Sequence, residues 1–239
     1  VAGRERAQAL RAAARPDALA QRGLSSGVRS GNANKPLGAS AAGRRRIPIS
    51  RYPVPELADL PEDLRLRILA VQEKAGFVPN VFLALAHRPD ECRAFFDYHD
   101  ALMLRPSGLS KGEKEMIVVA TSGANRCLYC VVAHGAILRI YEKNPLLADQ
   151  VAVNHHKADL SARQKAMLDF ALKVCRDSAE LGEADFEAMR AQGFGDEDIW
   201  DIGAITAFFG LSNRMANLIS MRPNDEFFLM GRQPRSKAG

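Results

Sequence analysis

No stretch of this 239-residue chain is apolar for long enough to cross a bilayer. The longest apolar runs, such as Met116 to Ala120 and Ala207 to Leu211, fall far short of the roughly 20 residues a spanning helix needs. Cysteine is scarce: four residues are too few for the disulfide framework of a small secreted domain, and no secretory hydrophobic stretch precedes the folded part. There is no convincing alternating strand pattern, no internal repeat, and no flavin or nucleotide motif, so neither a β fold nor a bound cofactor is expected. Acidic residues are nearly missing from one segment. Residues 1–46 hold nine Arg and one Lys against Glu5 and Asp17 alone, a net +8 within a chain whose formal charge is +5. Residues 47–239 are therefore at −3, and the basic balance of the whole chain is poor support for nucleic-acid binding. Neither nucleic acid nor membrane is an expected partner.

The chain divides accordingly. Residues 1–46, rich in Arg, Ala, Ser and Gly, lack a core-forming pattern and read as a disordered basic leader. Arg4 to Ala20 has the composition of a basic amphipathic helix, and Arg22-Gly-Leu-Ser-Ser after it has the character of a processing site. This fits a mitochondrial transit peptide; the alternative is an unfolded tail on a cytoplasmic protein. Residues 47–239 form the folded domain. Prolines at 48, 53, 55 and 61 predict an extended arm. Helical spacing begins with Leu64, Leu66, Ile68, Leu69 and Val71, and Gly76-Phe77-Val78-Pro79-Asn80 breaks it. Pro89 opens a further helix. Ser110 with Glu113, and Ser161 with Gln164, have capping-box spacing. Gly123 is expected to end the helix carrying Glu115, with a new helix from about Asn125. Glu183 to Ala191 and Asp196 to Ile219 complete an all-α domain.

The chemistry concentrates in Cys127-Leu128-Tyr129-Cys130-Val131-Val132-Ala133-His134. On a helix, residues three and four apart share a face, so Cys127, Cys130 and His134 make one stripe. The first turn favours a thiolate at Cys127, through unpaired N–H groups and the helix dipole. A histidine beside Cys130 favours that thiol instead. A reversal near Gly123 brings Glu115 opposite Cys130 and His134, where a carboxylate can orient the imidazole and take its proton. Glu115 is followed by Met-Ile-Val-Val-Ala, so it needs a partner. The same four side chains are also a conceivable zinc set, although structural zinc sites more often draw two ligands from each of two segments. Cys92 and Cys175 read as core thiols, His155 and His156 as solvated residues of a polar link, and His99 as hydrogen-bonded structure. Phe208, Phe209 and Trp200 read as core or subunit interface, and Arg214 as a cap or an ion-pair partner.

The spacing Glu115, eleven residues, Cys127-x-x-Cys130-x-x-x-His134 resembles the motif of the alkylhydroperoxidase D-like family, within the carboxymuconolactone decarboxylase superfamily. Gly76 to Asn80, Leu85-Ala86-His87-Arg88-Pro89, Asn213-Arg214, Asn224 to Phe227 and Gly231-Arg232 resemble its peroxidase-related branch. The resemblance implies an AhpD-like helical domain and a thiol peroxidase. In that role Cys130 attacks the peroxide, Cys127 resolves the sulfenic acid, and His134 and Glu115 relay protons. It further implies no bound cofactor, a dithiol reductant such as a lipoylated protein, and a homo-oligomer. One departure is Tyr129, where well-known members carry a histidine; a phenol is the weaker proton acceptor at neutral pH. Two other classes remain: a non-catalytic stress-response or interaction protein on the same fold, and a decarboxylase-like enzyme, against which the paired thiols argue. Deleting residues 1–46 is expected to leave the melting temperature of the domain unchanged, measured by circular dichroism on a chain starting at Ile47.

Overall fold

The computed structural model describes residues 48–232; the leader, with its proposed transit peptide, lies outside the described residues, as do residues 233–239. No strand occurs among the described residues. The helices are α1 Glu62–Ala75, α2 Asn80–Leu85, α3 Pro89–Met103, α4 Lys111–Ala124, α5 Leu128–Glu142, α6 Leu147–Asn154, α7 Ala162–Asp177, α8 Glu183–Ala191, α9 Asp196–Leu218 and α10 Asp225–Leu229.

The helix starts follow the local chemistry. Ser110 Oγ accepts from the Glu113 N–H at 3.0 Å while the Ser110 N–H donates to Glu113 Oε2 at 2.9 Å, and Ser161 with Gln164 repeats the device. Pro89 sits at the first position of α3, where its missing N–H costs nothing.

Helix α4 is the centre of the domain. It packs against α5, α6, α7 and α9, and every residue from Gly112 to Ser122 is buried. Ile117, Val118 and Val119 have no exposed surface and join Leu138, Met167, Leu168, Ile202 and Ile205 from the surrounding helices. Enclosure of this kind forces each buried charge of α4 to find a partner. Lys114 Nζ donates to the carbonyls of Leu102 and Arg105, both at 2.8 Å, and so serves the open C-terminus of α3. Glu113 pairs with Arg163 of α7.

The end of α4 differs from the sequence expectation. Gly123 lies inside the helix, and its role is close approach: a Cβ there would stand 2.5 Å from the backbone carbonyl oxygen of Ala152 on α6. The residue that takes the left-handed conformation is Arg126, with φ of 52°. The Arg126 N–H donates to the Gly123 carbonyl and the Cys127 N–H to the Ser122 carbonyl, at 3.0 and 2.9 Å, which is the Schellman pattern. Helix α5 therefore begins at Leu128, three residues beyond the expected start.

Two short helices, α6 and α10, were not legible in the pattern. The second is held from outside. Buried Arg139 of α5 donates to the Phe227 and Met230 carbonyls at 2.8 and 2.9 Å. Asn224 Oδ1 accepts from the Asn80 N–H at 2.7 Å, and its Nδ2 donates to the Val78 carbonyl at 2.9 Å. Asn80 Nδ2 returns a bond to the Arg222 carbonyl at 2.9 Å, and Phe77 meets Phe227 edge to face at 5.0 Å. These contacts tie the segment before α2 to the segment before α10, against the face of α5 that carries the thiols.

Gly123→Ala gains helix propensity but drives a methyl into a backbone oxygen that has no rotamer to escape by. A net loss of about 1–3 kcal/mol is expected, read from urea denaturation.

Candidate active site

The site forms where α4 turns into α5 and is closed by α9. The turn that ends α4 sets the position of Cys127, which is extended (φ −90°, ψ 100°) and serves as the N-cap of α5. It lies one residue before the first turn, not within it as the helical reading had placed it. Cys130 then occupies the third helical position. In a Ser or Asp cap these positions bring the side-chain oxygen over the amide of the third residue. Sulfur makes a looser version: no capping bond of ordinary geometry closes. Even so, the pair is strongly coupled. Cys127 is lowered from its ordinary 9.0 to about 7, first because the Cys130 thiol hydrogen-bonds it. The Cys130 backbone N–H, the Asn213 side chain and the charge of His134 act in the same direction, against burial. Cys130 is pushed well above the ordinary thiol value by that same hydrogen bond and by burial. The more acidic thiol is therefore the one at the helix start. Both are free thiols, 0% and 2% exposed respectively.

Glu115 of α4 and His134 of α5 meet as the reversal between their helices predicts, with Oε2 2.8 Å from Nδ1. Glu115 is 5% exposed, and this contact is the partner its burial requires. With Nδ1 committed to the carboxylate, the neutral ring carries its lone pair on Nε2, the nitrogen left for proton transfer. The His134 ring also stands edge-on to Phe209, with centroids 4.7 Å apart.

Helix α9 supplies residues that sequence reasoning had not assigned to the site. Ser212 Oγ lies 3.8 Å from Cys130 Sγ. Asn213, fully buried, donates to Ser122 Oγ at 2.9 Å and accepts from Asn125 Nδ2 at 2.9 Å, tying α9 to the α4–α5 turn beside both thiols. A Ser-Asn pair directly after the apolar run Ala207 to Leu211 was the available signal. His99 of α3 packs near the same helix, 6.4 Å from the Phe209 ring centroid. Its Nδ1 contacts Asp100 at 2.9 Å, the structural bond expected of it. Burial lowers its pKa against that bond, and the charges of His134 and Glu115 both reach it.

Tyr129 is engaged with α2 and not with the Glu115–His134 pair. Its hydroxyl accepts from the Val81 N–H at 3.1 Å, in the first turn of α2, and burial raises its pKa. Cys92 is buried as expected and pushed up to about 11 by desolvation, whereas Cys175 is only partly buried. His155, read as solvated, is buried against Asp169 instead; His156 is exposed. Trp200 is not core: it is 72% exposed on α9. Arg214 caps nothing beyond its own helix, donating to the Gly210 carbonyl. The donor atoms of Cys127, Cys130, His134 and Glu115 do not converge as a metal-ligand cluster among the described residues. An apolar groove of about 730 Å³ between α2, α3 and α9, lined by Phe95, Phe208, Leu211 and Met215 among others, contains none of these four.

Fold and site together define an all-helical dithiol protein with a carboxylate–imidazole pair beside the thiols. Residues 89–145 match the carboxymuconolactone decarboxylase family. A peroxidase-related protein from Ralstonia eutropha JMP134, described as an alkylhydroperoxidase AhpD core, is 79% identical with a TM-score of 0.78, over 79% of this chain and 100% of that one. A peroxidase-related protein from Silicibacter sp. TM1040 is 43% identical with a TM-score of 0.75, over 80% and 100%. The debrominase Bmp8, 20% identical with a TM-score of 0.61 over 77% and 95%, shares the fold. No curated protein is similar to the chain at a significant level. The chain belongs to the alkylhydroperoxidase D-like family of the carboxymuconolactone decarboxylase superfamily, in its peroxidase-related branch.

Thiolate absorbance in the ultraviolet is expected to rise with a midpoint of about pH 7, the more acidic thiol ionising first. Cys130→Ala removes the S–H that stabilises the Cys127 thiolate and is expected to move that midpoint up, towards 9.0.

Proposed function

We propose that this protein is a thiol peroxidase that reduces peroxides through Cys127 and Cys130, with His134 and Glu115 relaying protons. The observation that carries the reading is the coupled thiol pair, one member lowered to about 7, on the same helix as a histidine held by a buried carboxylate at 2.8 Å. A thiolate is the species that attacks a peroxide, and a poised imidazole is the group that handles the protons.

In the cycle, one thiolate attacks a peroxide oxygen. The O–O bond breaks, ROH leaves with a proton delivered by the relay, and the sulfur becomes a sulfenic acid. The second cysteine, deprotonated through His134 and Glu115, attacks that sulfur and expels water, leaving a Cys127–Cys130 disulfide. Two thiols and ROOH thus give a disulfide, ROH and H2O. A dithiol reductant, such as a lipoylated protein, restores the pair by exchange. The family resemblance gives the attack to Cys130 and the resolving step to Cys127. For Cys130 to attack, its proton crosses the S–H···S⁻ hydrogen bond to Cys127. A second reading, favoured by the lowered pKa, has Cys127 attack directly. The protein acts as a homo-oligomer on this proposal, and in mitochondria if the leader is a transit peptide.

Intact-mass and peptide mass spectrometry after one equivalent of peroxide tests the function. One intramolecular Cys127–Cys130 disulfide is expected, with Cys92 and Cys175 still reduced. Attack by Cys130 predicts that Cys127→Ser accumulates sulfenic or sulfinic acid on Cys130 and that Cys130→Ser consumes no peroxide. Attack by Cys127 reverses the two variants. Thiols that resist peroxide in the wild-type chain would rule out both.

A further inference from the structure

We propose that His155, His156 and Asp169 form a binding site for one divalent first-row transition-metal ion, on the flank of the domain formed by α6 and α7. None of Glu115, Cys127, Cys130 or His134 lines it, so the inference stands independently of the peroxidase reading.

The local fold builds the cluster. Helix α6 ends at Asn154, and the next three residues, His155–Lys157, make a single tight 3-10 turn. That turn sends both imidazoles towards α7, with ring centroids 4.1 Å apart. Asp169 lies midway along α7 and presents one oxygen to both. Its Oδ1 is 2.8 Å from His155 Nε2 and 3.2 Å from His156 Nε2. All three donor atoms lie within 4.8 Å of one another.

These spacings are those of a coordination edge. Imidazole nitrogen and carboxylate oxygen bind such ions at about 2.0–2.2 Å, which puts neighbouring donors roughly 3 Å apart in an octahedron and slightly further in a tetrahedron. Two simple hydrogen bonds could produce similar distances, but a carboxylate offers two oxygens for two donors, and here both nitrogens address the same one. The donor chemistry also fits: two histidines and one carboxylate with positions left open is a set that suits first-row ions.

Exposure is graded as a binding site needs. His155 is buried and fixed, Asp169 is half exposed, and the His156 side chain is 60% exposed and free to swing aside for entry. The donors open onto a polar cavity of about 440 Å³, with room for water in the remaining positions. Of the charged groups lining it, Lys173 is matched by Asp185 at 2.6 Å, and Arg176 and Asp177 carry opposite charges.

Equilibrium titration of the full chain with Co²⁺ and with Zn²⁺ tests the site, with calorimetry and the cobalt spectrum as readouts. One ion per chain is expected, with a cobalt spectrum lacking the thiolate charge-transfer band that binding at Cys127 and Cys130 would give. Loss of even an outer partner of a ligand weakens metal binding roughly 10–100-fold. His156→Ala and Asp169→Asn, both at accessible side chains, are each expected to weaken it at least tenfold, and Cys127→Ser/Cys130→Ser to leave it unchanged. The melting temperature should rise with metal concentration in the wild type and not in His156→Ala. Failure to bind either ion, binding unchanged in His156→Ala, or an ion that carries the thiolate band would each overturn the proposal.

Discussion

A carboxylate in the most enclosed helix of a domain must be paired or give up its charge, and the pairing of Glu115 with His134 is the constraint on which the site depends. Four helices surround α4, and the Glu115 side chain is only 7% exposed. Breaking a buried pair by removing one partner costs roughly 3–5 kcal/mol, because the remaining charge is left alone in a poor solvent. The pair thus fixes the register of α5 on α4. It also fixes which face of α5 looks inward, and with it the faces of Cys127 and Cys130. The neighbouring charges of α4 obey the same rule with different partners: Lys114 takes the loose carbonyls of α3, and Glu113 takes its own N-cap and Arg163.

The second determinant is one residue doing two jobs. Cys127 donates its N–H to close the end of α4 and gives its carbonyl to the Val131 N–H, opening α5. The turn therefore cannot be lengthened or relaxed without moving a thiol. It also makes the two cysteines unequal. Two thiols on a regular helical stripe would share one environment. An extended cap residue and a third-position residue do not: the Cys127 thiolate is held first by the Cys130 thiol, and then by the Cys130 N–H and Asn213.

Tyr129 has a structural part beside the thiols. Its hydroxyl serves the first turn of α2, whose backbone also engages Asn224, so the residue beside the thiols is part of the wall that carries α2 and α10. Two of the segments that resemble the peroxidase-related branch, Gly76 to Asn80 and Asn224 to Phe227, bond to each other in that wall. Their work is to cover the thiols, not to react. Burial of both sulfurs follows from it.

Much of this was legible in the residues themselves. Ser110 with Glu113 and Ser161 with Gln164 mark helix starts because capping is a contact over three residues. The grouping of Cys127, Cys130 and His134 follows from helical spacing, and the need of Glu115 for a partner follows from the apolar run beside it. Other features were decided only when distant segments packed. Gly123 is a close-approach residue because of Ala152, and the left-handed position fell to Arg126, against the preference of single residues. Asn213 and Ser212 reach the site because α9 lies across it, and Phe209 of the same helix stands between His134 and His99. His155 is buried and joined to His156 on one oxygen because α7 supplies Asp169 at that point. The difference is one of range. Caps, helical stripes and unpaired charges are set by neighbours along the chain. The acidity of a thiol, the burial of an imidazole and the room for a methyl depend on atoms that only the folded chain brings together.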